Sequence, residues 1–204
     1  MNPGNDFRTR LADKGRVIAD RVSGLWRDNR AVSAVEFAMI LPFMFFLLIG
    51  MTELADALNQ DRKVSRIANS IADLIAQEEA VSSGDLDSLL DIGEKILDPY
   101  PSDNLQVIVA SITFDEDGDA SVDWSRDTAG TVPWTAGSAP PITLPGTVAV
   151  ANTSIVVGQT NLTYTPNFAG AFSSIFDWSP SALDLTDTYY LTPRITGTVT
   201  CSNC

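Results

Sequence analysis

The chain has 204 residues, 13 basic and 26 acidic side chains, and a formal net charge of −13. This length fits one modest domain and whatever an anchor adds to it. The absence of histidine removes the commonest general base and metal ligand, and the acidic balance argues against a nucleic-acid partner, because phosphate contacts dominate such binding.

The charge is divided unevenly along the chain. Residues 1–30 hold seven bases and four acids (7 − 4 = +3), whereas the remaining residues hold six bases and 22 acids (6 − 22 = −16). Between these parts, Phe37–Met51 carries no charge and, extended back to Val32, reaches about 20 residues, the length of a membrane-crossing helix. Because basic flanks stay in the cytoplasm, the pattern predicts an inner-membrane span with residues 1–30 cytoplasmic and the acidic part periplasmic.

A cleaved signal peptide is the alternative interpretation of the same run. The basic leader, the apolar core and Ala55-Asp56-Ala57 satisfy that pattern. Against it, helical periodicity continues through the expected cut, with apolar residues at three- and four-residue steps: Leu54, Ala57, Leu58, Val64, Ile67, Ala68, Ile71, Leu74 and Ile75. Residues 31–80 are therefore predicted to form a transmembrane helix that continues as an amphipathic helix.

The rest of the chain, residues 81–204, is predicted to fold as one extracytoplasmic domain. A helix is expected from about Asp85, its N-cap, to Leu97, where Asp98-Pro99 stops it. The segments that follow are predicted as strands over 105–114 and 120–124, a loop over 128–146, a strand with an irregular lead-in over 147–166, a partly helical insertion over 167–178, and a last strand over 188–200. This order predicts an α+β fold with helices packed on one face of an antiparallel sheet.

The run DEDGD (115–119) joins the first two predicted strands, and its Asp117-Gly118 is typical of a hairpin turn. It also resembles part of a calcium loop. A complete loop needs a bidentate glutamate further along and flanking helices, which are missing from the pattern. We interpret the run as a solvated turn and predict no metal site.

The chain ends in a C-x-x-C pair, Cys201 and Cys204. No helix follows the pair to lower a thiol pKa, so a redox role is disfavoured. In an oxidising compartment the two residues are expected to bond to each other, with an intermolecular bond or free thiols as alternatives. Scattered acids, the missing histidine and the lack of a phosphate-binding glycine loop predict a protein that is no enzyme and needs no cofactor.

Glu36 stands at the head of the apolar run, where a carboxylate is costly and marks a functional site. An interfacial residue at the cytoplasmic rim is the alternative. Around it, RAVSAVEFAMILPFMFFLLIGMTELADAL resembles the N-terminal signature of the TadE/TadG-like minor pseudopilins of the tight-adherence (Flp-type) pilus system. The residues that carry the resemblance are Ala34-Val35-Glu36-Phe37, Leu41-Pro42 and Glu53. The specific similarity covers about residues 30–77, including the helix at 62–77, and the similarity at 154–168 and 189–201 is looser.

The resemblance implies a non-catalytic, pilin-like component of the pilus assembly or secretion machinery. Its implied partners are the membrane and other pilin-like or pilus-assembly proteins, in a homo- or hetero-oligomer. In pilin-type proteins a prepilin peptidase cuts before the apolar run, which here corresponds to the bond between Ala31 and Val32. Glu36, beside the family-like Phe37, would then neutralise the new terminal amine of a neighbouring subunit.

Two alternatives stay open at this point. Ala31 stands where glycine is usual, so the leader could remain uncleaved. A membrane-tethered periplasmic binding or adhesin domain would use the span as an anchor only and would give Glu36 no task.

Overall fold

A computed structural model describes residues 29–168 and 182–204, and the chain divides into two compact units, Met1–Thr52 and Glu53–Cys204. Most of the predicted leader and of the predicted 167–178 insertion lies outside the described residues. The elements in chain order are α1 (Asn29–Ala76), β1 (Ala80–Val81), α2 (Ser83–Leu97), β2 (Leu105–Phe114), β3 (Ala120–Asp127), β4 (Ser154–Tyr164), β5 (Leu183–Leu191) and β6 (Thr200–Cys201).

Helix α1 is amphipathic in the second unit, as predicted. Its buried face consists of Val64, Ile67, Ala68, Ile71, Ala72, Ile75 and Ala76. The prediction that Leu54, Leu58 and Leu74 share this face is wrong, because all three are exposed. At about 100° per residue, Leu58 lies roughly 180° around the helix from Ile67 and points away from the core.

The start of α2 differs from the prediction by three residues. Ser82, and not Asp85, is the N-cap: its hydroxyl accepts a hydrogen bond from the Asp85 amide at 3.3 Å. The Asp85 carboxylate accepts the Ser82 amide in return at 2.9 Å, which completes a capping box. The Ser82 hydroxyl also donates to the Asp85 carboxylate at 2.6 Å, and this bond, followed by that of the Ser82 amide, lowers the pKa of Asp85. The helix ends at Leu97, as predicted.

Two charged side chains hold α2 in place. Lys63 of α1 donates to the carbonyl oxygens of Ile96 and Asp98 at 2.7 and 2.8 Å, which satisfies acceptors at the C-terminal end of α2. Arg126 of β3 donates two hydrogen bonds to the Asp87 carboxylate at 2.6 and 2.8 Å, and this pairing lowers the pKa of Asp87.

The antiparallel sheet has the strand order β3-β2-β4-β5. Strand β2 has the predicted bounds, and β4 follows the predicted irregular lead-in. The turn between β2 and β3 is the predicted solvated hairpin: Gly118 has a φ of 84°, and the Asp115 carboxylate accepts the amides of Asp117 and Asp119. Register between β2 and β3 shifts at Ser111/Ile112.

The last-strand prediction over 188–200 is wrong. Strand β5 begins five residues earlier, at Leu183, and ends at Leu191. Beyond it lies Pro193, which has no amide hydrogen for a strand ladder, and the Arg194 amide bonds the Ala76 carbonyl of α1 at 2.9 Å instead. The chain then reaches the short strand β6, which pairs in parallel with β1.

Apolar clusters lie on both faces of the sheet. On one face, α1 and α2 pack against residues such as Val107, Val109 and Val156. On the other face, Trp134, Ile142 and other residues of the loop between β3 and β4 cover Ile108, Ile112 and Phe114. The structure therefore confirms the α+β class with helices on one face.

The α1 helix approaches the sheet closely at Gly158 of β4. A Cβ atom added there would lie 2.5 Å from the Ala68 backbone oxygen and 3.0 Å from the Ala72 Cβ. The small residues Gly158, Ala68 and Ala72 therefore allow the helix and the strand to lie in contact. Any larger residue at position 158 would require the backbone to shift.

The segment between β5 and β6 lies against the helix-covered face of the sheet. The Trp124 indole donates to the Val199 carbonyl at 2.8 Å, and the Ser154 hydroxyl donates to the Gly197 carbonyl at 2.8 Å. Val199 is fully buried. The segment between β5 and β6 is thus packed into the folded domain.

Candidate assembly site

The first unit presents an apolar helical surface. Among the described residues, one helix is long and apolar enough to cross a membrane, with a window of mean hydropathy 2.3 that is 0% buried. An open, apolar concavity of about 580 Å³ runs along it, lined by Phe37, Leu41, Met44, Phe45, Leu47, Leu48 and Met51. A surface of this kind is stable in lipid or against another apolar helix, and not in water.

The residues predicted for processing and assembly lie together in this part of α1. Ala31 and Val32 are helical, and the side chains of Val32, Glu36 and Phe37 are exposed. Val32 and Glu36 are four residues apart and therefore occupy the same side of the helix. The carboxylate of Glu36 is accordingly displayed on the outside of an apolar helix, where a second subunit could reach it. Cleavage before Val32 and pairing of Glu36 stay predictions.

A second glutamate, Glu53, has hydrogen-bond partners that the sequence did not reveal. The Glu53 carboxylate of α1 accepts a hydrogen bond from the Tyr164 hydroxyl at the end of β4. It also accepts the backbone amides of Asn167 and Phe168 at 3.2 and 2.9 Å. These three hydrogen bonds link the part of α1 that begins the α+β domain to the segment at the end of β4 and just after it. In the sequence, Glu53 is the first charge after the apolar run and one of the residues that carry the resemblance, and neither signal pointed to these partners.

The Tyr164 side chain provides a pH test of this contact. Burial, followed by the hydrogen bond to Glu53, raises the pKa of Tyr164 above its ordinary value. Because the folded-state pKa lies above that of the unfolded chain, the stability contributed by the neutral phenol is complete below about pH 10 and is lost as the pH rises further.

We therefore expect the melting temperature of the wild-type chain in detergent to fall more steeply above about pH 10 than that of Tyr164→Phe. At pH 7 the variant should melt lower, because it leaves Glu53 with one donor fewer. Circular dichroism melts from pH 7 to 11 measure both effects. Parallel pH profiles for the two proteins would contradict the assignment.

The sulfur atoms of Cys201 and Cys204 lie at disulfide distance, and their Cα atoms are 5.8 Å apart. The surrounding backbone is held in place: the Ser202 amide donates to the Val81 carbonyl at 3.1 Å, and the Asn203 side chain accepts the Ser83 amide at 2.8 Å. The pair therefore closes a loop beside the start of α2.

We expect Cys201 and Cys204 to be oxidised to each other in the mature protein. Mass spectrometry of the alkylated, unreduced chain should show no alkyl group on either residue, and reduction before alkylation should add two. Two alkylated thiols without reduction would refute the pairing, and a dimer that separates on reduction would indicate an intermolecular bond instead.

The acidic turn at 115–119 does not gather its carboxylates around a common point. Within the described ranges, no group of three or more histidine, cysteine or acidic side chains is placed to hold a metal ion. The Asp115 carboxylate is instead occupied by two backbone amides of its own turn.

Within residues 29–168 and 182–204, an α+β domain follows one apolar helix of membrane-spanning length, and this combination indicates the class of single-pass membrane proteins. Residues 31–73 match the TadE-like protein family. The match covers the segment that carries Glu36 and Glu53 and extends to the buried face of α1, and it confirms the resemblance seen in the sequence. No curated protein and no solved structure shows significant similarity to the chain.

Proposed function

We propose that this chain is a non-catalytic, pilin-like membrane protein of the tight-adherence pilus assembly machinery, a TadE/TadG-like minor pseudopilin. The observation that carries the proposal is the coincidence of the TadE-like match at 31–73 with an exposed apolar helix that displays Glu36. The helix joins other pilin-like helices in the membrane, and the α+β domain contacts assembly partners outside it.

Glu36 has a physical task in such an assembly. An isolated carboxylate in hydrocarbon is strongly disfavoured, and a positive group on a neighbouring subunit offsets that cost only when the two helices are in register. Assembly then selects one register. In a chain that is merely anchored, the same carboxylate destabilises the span and contributes nothing.

The structure also supports an uninterrupted connection between the span and the domain. Ala57 lies at the end of the cleavage site that a signal peptide would have, and it packs against the core of the α+β domain. Glu53, just before that site, accepts three hydrogen bonds from the domain. Removal of the chain up to Ala57 would discard these contacts, which favours a retained span over a cleaved signal peptide.

The proposed location is the inner membrane, with residues 1–30 in the cytoplasm and residues 54–204 in the periplasm. The charge balances of +3 and −16 on the two sides of the apolar run support this orientation. A reporter that works only in the periplasm should be active when fused after Leu97. Activity there of a reporter that works only in the cytoplasm would overturn the orientation.

Removal of the gene from the organism that carries it tests the function. We expect pili counted by electron microscopy to fall to background, and the full chain supplied in trans to restore them. Pili in normal number on cells that adhere poorly would contradict the proposal and would favour an anchored adhesin.

A further inference from the structure

Residues 200–204 are joined to the start of α2 through hydrogen bonds. Strand β6 pairs in parallel with β1, which lies just before α2. The Ser202 amide then donates to the Val81 carbonyl at 3.1 Å. The Ser83 amide, the first in α2, donates to the side-chain oxygen of Asn203 at 2.8 Å, across 120 residues of sequence. A residue far away in sequence therefore takes part in the N-terminal cap of α2.

The Ser83 amide needs such an acceptor, because the first amides of a helix have no partner inside the helix. In α2 the capping box provides an acceptor for the Asp85 amide, and the Leu86 amide bonds the Ser82 carbonyl at 3.0 Å. Neither contact reaches the Ser83 amide. Asn203 supplies the acceptor instead and completes the cap.

The position of Asn203 depends on the disulfide more than on burial. Ser202, Asn203 and Cys204 are exposed, whereas Cys201 is half-buried and packs against the helix-covered part of the core. The bond between Cys201 and Cys204 links the exposed residues back to this anchored one. It closes a very short loop, with a sequence separation of 3, and short loops restrict the unfolded chain least. The main effect of the bond is therefore local.

We propose that this disulfide is a redox-operated clasp. When oxidised, it keeps Asn203 on the Ser83 amide, and when reduced it releases residues 202–204 from the start of α2. Cys204 is exposed, so a partner thiol or disulfide can reach the bond. To close the clasp, the two thiols pass two electrons and two protons to the disulfide of an oxidoreductase, which leaves as a dithiol. To open it, a dithiol attacks the bond, gives up two electrons and two protons, and becomes a disulfide.

The compartment decides the state of the clasp, because thiols stay reduced in the cytoplasm and are oxidised in the periplasm. The clasp is open during synthesis and closes after the domain has crossed the membrane. This step rests on the proposed function only for the periplasmic location. Chains held in the cytoplasm by a block of export should carry two alkylated cysteines after thiol trapping. Oxidised cysteines on those chains would contradict the order of events.

The opening should stop at Val199. This residue is fully buried, and its carbonyl accepts the Trp124 indole at 2.8 Å. Both contacts lie before the disulfide loop and do not depend on it. Reduction should therefore loosen residues 200–204 and the first turn of α2, and should leave the four-stranded sheet unchanged.

Hydrogen–deuterium exchange of the full chain in detergent, followed by mass spectrometry, tests the clasp. The oxidised chain is compared with the chain treated with dithiothreitol at neutral pH. We expect peptides that contain the Ser83 and Ser202 amides to exchange at least about tenfold faster after reduction, because their hydrogen bonds open more often. The peptide that covers β2 should exchange at an unchanged rate.

Unchanged exchange at Ser83 after reduction, or faster exchange in β2 as well, would overturn a local clasp. Alkylation of the treated chain verifies that the bond was reduced. A bond that dithiothreitol leaves intact in the folded chain would overturn its operation by a dithiol.

Two variants separate the role of Asn203 from that of the disulfide. In the oxidised chain, Asn203→Ala should speed exchange at Ser83 as much as reduction does, because the acceptor is lost. Ser202→Ala is the matched control, since it changes the exposed neighbour and keeps the backbone amide that bonds Val81. It should exchange like the wild type. Wild-type exchange at Ser83 in Asn203→Ala would contradict the cap. Pilus counts in the deletion strain test the proposed function separately, since exchange is measured on the purified chain.

Discussion

Replacing Gly158 by alanine is expected to lower the free energy of unfolding of the α+β domain by about 1–3 kcal/mol, the usual cost of overpacking a filled core. The added Cβ atom would lie 2.5 Å from the Ala68 backbone oxygen. A flexible side chain could move aside, but a helix backbone can do so only if the whole of α1 shifts on the sheet. For a domain of this size the loss corresponds to a melting temperature lower by roughly 2–12 °C.

The matched control is Gly146→Ala. Gly146 lies in the loop between β3 and β4, and nothing lies within 4 Å of a Cβ atom added there. Thermal unfolding of the three full chains in the same detergent should separate Gly158→Ala from the other two. Equal melting temperatures for Gly158→Ala and Gly146→Ala would show that the helix and sheet are not in tight contact at this point.

The second large effect is expected at Glu36. Glu36→Ala should leave the protein level and the membrane fraction unchanged or higher, because alanine is better tolerated by lipid than a carboxylate. Pili should nevertheless fall towards background, because the positive group of a neighbour loses its partner. Breaking a buried ion pair in this way costs about 3–5 kcal/mol, a factor of roughly 100 to 4,000 in an equilibrium constant.

Two further variants identify the cause of that loss. Glu36→Gln keeps the size of the side chain and removes the charge, so it should fail like alanine. Glu116→Ala removes a carboxylate from the exposed hairpin turn and should leave pilus numbers normal. Wild-type pilus counts for Glu36→Ala would show that Glu36 is only an interfacial residue. N-terminal sequencing of the mature chain then reports whether Val32 is its first residue.

Local patterns predicted the elements whose determinants are close in sequence. The alternation in 105–114 predicted the bounds of β2, and Asp117-Gly118 predicted the hairpin. The buried stripe from Val64 to Ile75 followed from its period. Each of these features depends on neighbours within a few residues along the chain.

The errors have both local and distant causes. Strand β5 ends at Leu191, just before Pro193, and the Arg194 amide then bonds the carbonyl of Ala76, which is far away in sequence. The N-cap was misplaced because both Ser82 and Asp85 suit that position, and only their reciprocal bonds distinguish them. Leu54 and Leu58 fitted a stripe of three- and four-residue steps, but drifted off the buried face over several turns.

The candidate site could be predicted only where the residues that define it are close in sequence. Glu36 is conspicuous because its apolar context is local. The partners of Glu53 were hidden because Tyr164 and Phe168 follow it by more than 100 residues. The close approach of Gly158 to Ala68 and Ala72 likewise has no local signal, since glycine in a strand has several explanations.

The most direct test of the central claim is to exchange the span while keeping the domain. Residues 32–51 would be replaced by an apolar helix of equal length from an unrelated single-pass protein, with the native chain kept from Thr52 onwards. Membrane fractionation and the Cys201–Cys204 bond would verify insertion and folding. If the helix takes part in pilus assembly, the exchanged chain should be abundant and folded, yet leave cells with pili near background. Wild-type pilus numbers would instead show that the span is an interchangeable anchor, and would contradict the account.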